Sequence, residues 1–173
     1  PGEPAAVSDH LRDLRAGAGR PEGLFHADTR HLSRLQLSIN GARPMLLSSG
    51  LRDDNAALIC DLSNPDIHDG AGHCVLAHDR LHIRRVRLLW DAVAYDRIAI
   101  KNFDRETQRI TITLTFAADF ADIFEVRGAT REHRGRYEAD QVSADSVTLA
   151  YTGLDHRLRQ TQLRFEPPPS SLT

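Results

Sequence analysis

The sequence has few cysteines and no long apolar run. Cys60 and Cys74 are its only cysteines, and they do not form a CxxC motif. Two cysteines cannot supply a disulfide framework, so a cytoplasmic location is expected. No stretch of 18 apolar residues is present, which argues against a membrane-spanning helix and a membrane partner. The first residues lack a basic region followed by an apolar stretch, so no signal peptide is expected.

The chain also lacks an excess of either charge. Its 173 residues include 22 basic and 24 acidic side chains, a net charge of -2, and Lys101 is the only lysine. This balance gives no electrostatic reason to expect nucleic acid as a partner. No phosphate-cradling glycine loop and no G-x-S-x-G motif occurs, so neither a cofactor nor a serine nucleophile is indicated.

What the sequence has in quantity is alternation with a period of two, the pattern of half-buried strands. About eight or nine such segments follow one another with hairpin-like connections, which predicts an all-β, antiparallel β-sandwich in one domain. The eight clearest segments are residues 34–39, 43–49, 55–63, 81–91, 92–103, 108–116, 146–153 and 156–165.

Several details of these strands can be predicted. Asn40-Gly41 is typical of a type I′ hairpin turn, with residues 43–49 as the return strand. Pro44 indicates that this strand begins at an edge or a bulge. In residues 81–91 the alternation shifts near Arg84-Arg85, which predicts a bulge.

The most regular alternation predicts which side chains enter the core. In residues 108–116, Ile110, Ile112, Leu114 and Phe116 should point inward while the threonines between them point outward, and Ile112 and Leu114 should lie in the core. Helix is expected only as two turns near residues 8–17 and one turn near residues 118–126.

Five segments resemble a known family. "GLFHADTRHLSRLQLSING", "RPMLLSS", "DNAALICDLSNPD", "LHIRRVRLLWD" and "DFADIFEVRG" are similar in order and spacing to the N-terminal domain of bacterial glycogen debranching enzymes of the amylo-α-1,6-glucosidase type. The resemblance extends from about Val7 to Phe165. It implies an antiparallel β-sandwich followed by a helical barrel that carries the glycosidase carboxylates, with this domain itself non-catalytic.

The same resemblance sets the expected boundaries and partners. It implies a sandwich over residues 1–165, with an irregular leading segment at 1–20, and a Pro/Ser-rich linker or truncated end at 166–173. The helical barrel of the parent α-1,6-glucosidase would be the main partner. Because the family sandwich normally adds strands beyond this point, an open sheet edge and a homodimer are also expected.

Two groups of residues are candidate glycan contacts. Asp28 and Arg30 could share sugar hydroxyls, but turn chemistry before a strand is the favoured interpretation, with Arg30 or Arg34 paired to Asp28. Trp90, Asp91 and Tyr95 flank a predicted hairpin turn and could stack on a sugar ring. A core position is favoured for the tryptophan, because this residue type is highly buried on average.

Paired carboxylates raise the question of glycoside hydrolysis. Asp119, Asp122 and Glu125 are spaced by three, which places them on one side of a helical turn. Carboxylates on a helical face are common, and the resemblance assigns catalysis to another domain. We therefore expect no catalytic residue here, and interpret these three residues with Arg127 as an interdomain contact. Arg127, Arg131 and Arg134 are candidate ion-pair partners.

A histidine-rich loop contains His68, His73, Cys74 and His78. Histidine and cysteine bind zinc, but this spacing matches no zinc signature, so no metal is expected.

The leading hypothesis is an accessory domain of a debranching enzyme that packs on the catalytic barrel and contacts α-glucan. The alternatives are a free-standing sandwich that binds glycans or a protein partner, and a metal-binding sandwich.

Overall fold

The structure, a computed structural model, describes residues 5–7, 13–15, 21–52 and 57–172. Within these ranges sixteen antiparallel strands and one short helix occur, which confirms the predicted all-β class. In chain order they are β1 (Ala5–Val7), β2 (Leu14–Arg15), β3 (Gly23–His26), β4 (Thr29–Leu32), β5 (Arg34–Ile39), β6 (Met45–Leu51), β7 (Ala57–Ser63), β8 (Ile67–His68), β9 (Cys74–Leu76), β10 (Leu81–Trp90), β11 (Val93–Asn102), β12 (Ile112–Ala117), α1 (Ile123–Val126), β13 (Arg136–Tyr137), β14 (Gln141–Val142), β15 (Ser146–Thr152) and β16 (Leu158–Arg164).

Two sheets enclose the main core. One has the strand order β12-β5-β2 and the other β11-β10-β7-β6. Leu37 and Ile39 of β5 pack with buried side chains of β7 and β10, namely Cys60, Leu62, Leu81 and Ile83. Since each strand sends alternate residues inward, one apolar face of each sheet is removed from water, as in a sandwich.

A second apolar cluster links the sheets that contain β4 and β16 to the sheet of β5, whereas the small β8-β9 sheet contributes Ile67 and Leu76 to the main core. Leu14, Leu32 and Leu35 are its buried members, and Leu163 of β16 packs against them. The sheet β1-β3-β4 contributes Leu32, while β15 pairs with β13, β14 and β16 in a further sheet. All eight segments predicted as strands contain a strand. The higher observed count comes from strands of two to four residues, which are too short to show alternation.

The strand after Asn40-Gly41 does not return along β5. The turn forms, but its pairing ends at an isolated bridge between Ile39 and Ala42, and β6 pairs with β7 in the opposite sheet. Pro44 has no backbone N–H and cannot extend a ladder. The return-strand prediction is therefore wrong. The edge prediction is confirmed, because β6 ends its sheet and has a register shift near its start.

The bulge predicted near Arg84-Arg85 is also wrong. β10 keeps an unbroken register with both β7 and β11. Arg85 and Arg87 are buried on the same face as Leu81 and Ile83, so the inward positions continue without a phase change. The apparent change of phase arose because arginines occupy positions where an apolar residue was expected.

The outermost strand of the first sheet departs from its predicted burial at one residue. Ile112 is 48% exposed, so its core assignment is wrong. It is the first residue of β12, which among the described strands pairs with β5 alone and therefore forms the edge of its sheet. Leu114 is half-buried and packs against both apolar clusters, while Ile110 and Phe116 each pack against one.

Helix is confined to α1 in the described part of the chain, where one turn was predicted. No helix there is long and apolar enough to cross a membrane. Of residues 8–17, only 13–15 are described, and Leu14–Arg15 forms a strand, so the helix predicted there is wrong at those two residues. The rest of that prediction lies outside the described residues.

Candidate functional site

The β10–β11 hairpin presents an exposed apolar face at its tip. Its turn residues, Asp91 and Ala92, have φ values of 46° and 60°, the left-handed geometry of a type I′ turn, which confirms the predicted hairpin. Trp90 is 68% exposed and Tyr95 is 56% exposed. The core position favoured for Trp90 is therefore wrong. The described pairing of β10 with β7 extends only to Leu88, and the last residues of β10 lie beyond it.

The register of the hairpin places its apolar residues on one surface. Trp90 is opposite Val93, and Leu88 is opposite Tyr95. Directly opposed residues of an antiparallel pair project from the same face, and so do residues two apart on one strand. All four are exposed, and this face is the one turned away from the core residue Ile83. We call these four residues the aromatic tip.

The second candidate glycan site lies in another sheet. Asp28 is exposed in the β3–β4 turn with a φ of 60°, which confirms the turn interpretation. Arg30 is buried, and its guanidinium is bound by Asp119, whose Oδ1 accepts from Nε at 3.0 Å. The predicted pair of Asp28 with a nearby arginine is therefore wrong for Arg30. The structure does not bring these residues into the sheet of Trp90 and Tyr95.

The acidic segment around α1 is held by internal contacts. Asp122 caps the helix, accepting from the backbone N–H groups of Phe124 and Glu125 at 2.9 Å, while the Glu125 carboxylate accepts from the backbone N–H of Asp122 at 3.1 Å. Asp122 also pairs with Arg131, and Glu125 pairs with Arg134 at 3.1 Å. The predicted ion pairs of Arg131 and Arg134 are confirmed, whereas the one predicted for Arg127 is wrong among the described residues. Each carboxylate thus stabilises the local fold.

Two other side chains of this segment point to solvent. Phe124 is 65% exposed on α1, and Arg127, the C-cap residue, is exposed as well. Phe120 faces inward and stacks on the ring of Tyr151 with 5.7 Å between ring centroids. The segment therefore combines an anchored inner side with an uncovered apolar and cationic outer side.

A cluster of charged side chains inside the fold was not predicted from the sequence. Arg85 donates from Nη1 to Asp13 Oδ1 at 2.8 Å and from Nη2 to Asp96 Oδ2 at 2.7 Å. Arg87 donates to the same Asp96 oxygen at 2.7 Å, and Arg43 donates to Asp13. Burial alone would raise the pKa of Asp96, but Arg87 and Arg85 lower that pKa below its ordinary value.

This buried ion network joins distant parts of the chain. It connects the residue before β2, the approach to β6, and the strands β10 and β11. One feature of the sequence indicates this network. Arg85 and Arg87 follow Leu81 and Ile83 at intervals of two, so all four side chains lie on the same face of the strand. Because both carboxylates accept from arginines, the arrangement is suited to holding the strands together.

The histidine-rich loop forms separate pairs. His73 Nδ1 lies 3.2 Å from Asp69 Oδ2, and His78 Nδ1 lies 2.9 Å from Asp66 Oδ1. Cys74 is exposed and Cys60 is buried, and the two are not joined in a disulfide. Within the described ranges no three metal-ligating residues converge on a common point.

Two histidines should titrate in a defined order. Burial lowers the pKa of His31, and the neighbouring His26 adds to this effect, whereas the hydrogen bond to the Gln160 carbonyl opposes it. The hydrogen bond to Asp66 raises the pKa of the exposed His78. As the pH falls, His78 should therefore be protonated before His31, which imidazole NMR shifts will measure.

A substitution at Asp66 provides the control for this titration. Asp66→Asn should lower the pKa of His78 and leave that of His31 unchanged. The unfolded chain binds a proton at His31 more readily than the folded chain does. The free energy of unfolding should therefore decrease as the pH falls below 6.5, the ordinary pKa of histidine. A His31 pKa above that of His78 would contradict the packing of the His31 side chain, which belongs to β4, against β16.

Comparison with known protein families gives one match. Residues 2–173 match the family described as "N-terminal domain of (some) glycogen debranching enzymes". Searches of curated proteins and of solved structures produced no significant match. The family match includes all the segments on which the resemblance in the sequence depends.

Proposed function

The chain belongs to the family of N-terminal domains of glycogen debranching enzymes, and from this premise we propose that it is a non-catalytic domain that contacts α-glucan. In this role it packs on a catalytic helical barrel of the same protein, and the β10–β11 hairpin meets the glucan. The observation that carries the proposal is the exposure of Trp90 and Tyr95 on one face of a hairpin.

Aromatic side chains on such a surface suit a sugar ligand. A large aromatic ring in water forgoes the stabilisation that burial would give, so two of them on one exposed face mark a binding surface. The apolar face of a pyranose ring can cover an aromatic ring, while the exposed Asp91 beside Trp90 offers oxygens to sugar hydroxyls. Arg30 is excluded from this contact because Asp119 binds its buried guanidinium.

Affinity measurements on the 173-residue chain will test the glucan contact. Calorimetry with a linear malto-oligosaccharide should show that Trp90→Ala or Tyr95→Ala weakens binding at least about tenfold, a loss near 1.4 kcal/mol. Phe124→Ala is the matched control, because it removes an equally exposed aromatic ring from a different element. Wild-type binding that survives both hairpin substitutions would refute the proposal.

The surface proposed to face the catalytic barrel is the α1 segment. Phe124 and Arg127 supply its exposed contacts, and the ion pairs of Asp119, Asp122 and Glu125 hold its shape. In a protein containing both domains, Phe124→Asp should lower the melting temperature, while the same change should leave the melting temperature of the 173-residue chain nearly unchanged. Equal effects in the two proteins would contradict this docking surface.

We expect no glycosidic bond hydrolysis by this chain alone. Hydrolysis needs two carboxyl groups about 5–10 Å apart across a bound sugar. Asp122 and Glu125 instead cap a helix and bind Arg131 and Arg134. An assay with a branched α-glucan and with isomaltose should detect no glucose release from the wild type. Release by the wild type that disappears in Asp122→Asn would make this domain an enzyme.

Homodimerisation is a further expectation from the sheet edges. β11 and β6 are the two edge strands of their sheet, and exposed edges can pair with another chain. Light scattering should show dimers of the 173-residue chain at high micromolar concentration. A constant monomer mass over a hundredfold dilution series would contradict this expectation.

A further inference from the structure

The sheet face that carries the aromatic tip also carries a row of cations. Proceeding away from the turn, the next opposed pairs on this face are Val86 with Arg97, Arg84 with Ala99, and His82 with Lys101. Arg84, Arg97 and Lys101 are all exposed. The face therefore changes from aromatic at the hairpin tip to cationic towards the other end of β10.

This positive charge is only partly compensated on the described strands. Asp61 is the one carboxylate on this face of the described strands β7, β10 and β11; it lies opposite Arg84, and its Oδ1 is 2.8 Å from His82 Nε2, so the four cations Arg84, Arg97, Lys101 and, when protonated, His82 share a single negative charge. Within the described ranges Arg84, Arg97 and Lys101 form no ion pair, and Lys101 Nζ lies 4.6 Å from the centre of the Phe103 ring. A positive surface on a chain with a net charge of -2 is complementary to an anionic ligand.

The distances along the strands allow one ligand to use both features. Residues two apart on a strand are separated by about 6.6–6.8 Å, so Arg97 is one such step from Tyr95. A sugar ring stacked on Tyr95 would have its substituents within reach of the Arg97 guanidinium. Arg84 lies one further step along the face, where the next part of the same ligand would pass.

We propose that this face binds an α-glucan that carries phosphate monoesters, with sugar rings on Trp90 and Tyr95 and phosphate oxygens on Arg97 and Arg84. This inference rests on the proposed glucan contact and adds the chemical class of the ligand. A guanidinium donates two parallel hydrogen bonds to phosphate, and these are stronger than bonds between neutral groups. Lys101 adds a point charge at the cationic end.

The experiment compares one glucan before and after treatment with a phosphatase. The wild-type chain should bind the phosphorylated form about tenfold more tightly at low salt, and this ratio should decrease as salt is added. Arg84→Gln with Arg97→Gln should bring the ratio of the two affinities close to one. Arg109→Gln, which removes an exposed cation elsewhere, should preserve the ratio, and Trp90→Ala should weaken binding to both forms.

Each outcome has a distinct meaning. Equal affinity of the wild type for the two glucans overturns the phosphate inference and leaves the glucan contact intact. Failure to bind either glucan overturns the proposed function itself. If polyphosphate or single-stranded nucleic acid binds as tightly as the phosphorylated glucan and Trp90→Ala has no effect, the face attracts polyanions in general and the inference is wrong.

Discussion

Replacing Arg85 by methionine should lower the free energy of unfolding by about 3–5 kcal/mol, the usual cost of removing one member of a buried ion network. The substitution leaves Asp13 and Asp96 buried with fewer donors, and the carboxylates cannot regain the water they gave up on folding. Urea denaturation followed by circular dichroism measures the change. We expect this to be the larger of the two effects discussed here.

The neighbouring residue provides a matched control. Arg84→Met makes the same chemical change one position earlier on the same strand, but the Arg84 side chain is exposed on the opposite face. Its effect on unfolding should stay within about 0.5 kcal/mol, as for most surface substitutions. Similar costs for the two variants would show that the register of β10 is wrong, because a shift of one residue exchanges the two faces.

The same network predicts how stability depends on pH. Since the pKa of Asp96 is lower in the folded chain than its ordinary value of 3.8, its stabilising contribution is complete above that pH. The contribution is lost as the pH falls through the folded pKa. Arg85→Met should reduce this part of the acid sensitivity.

Replacing Ile39 by alanine should cost about 2–5 kcal/mol, the range for a large aliphatic side chain in a core. Ile39 is fully buried between the two main sheets, so alanine would leave a cavity among the core side chains. Its cross-strand partner Ile112 is the matched control, because the two residues are paired across β5 and β12 and differ in burial. Ile112→Ala should cost less than about 1 kcal/mol.

A large cost for Ile112→Ala in the isolated chain would contradict the exposure of β12 at this residue. If the cost is small in the isolated chain but large in a protein that contains the catalytic domain, Ile112 is covered by that domain. Comparing the two proteins therefore also tests whether the sheet edge formed by β12 lies at a domain boundary.

The strand content and the turns were predictable because their causes are local. Alternation in residues 34–39 and 146–153 follows from one face of a strand being buried, and Asn40-Gly41 and Asp91-Ala92 lie in turns with positive φ. The capping of α1 by Asp122 and Glu125 is also local, since the two residues are three apart. In each case the residues that cause the structure are adjacent in the sequence.

The partners of charged and aromatic side chains could not be predicted, because they come from distant parts of the chain. Arg30 binds Asp119, 89 residues away, and Arg85 binds Asp13, 72 residues away. Nothing in the local pattern shows that an arginine within a strand is buried with a carboxylate. For the same reason Trp90 was assigned to the core, although it is 68% exposed and the described pairing of β10 with β7 ends at Leu88.

By itself the sequence determined that this chain is an antiparallel β-domain of the debranching-enzyme family, because periodicity, turns and family motifs are properties of contiguous residues. Only the tertiary structure decided which strands pair, that β6 joins β7, and that Arg85 is buried while Arg84 is exposed. Those outcomes depend on how two sheets pack against each other, and that packing sets burial and the pairing of charges together.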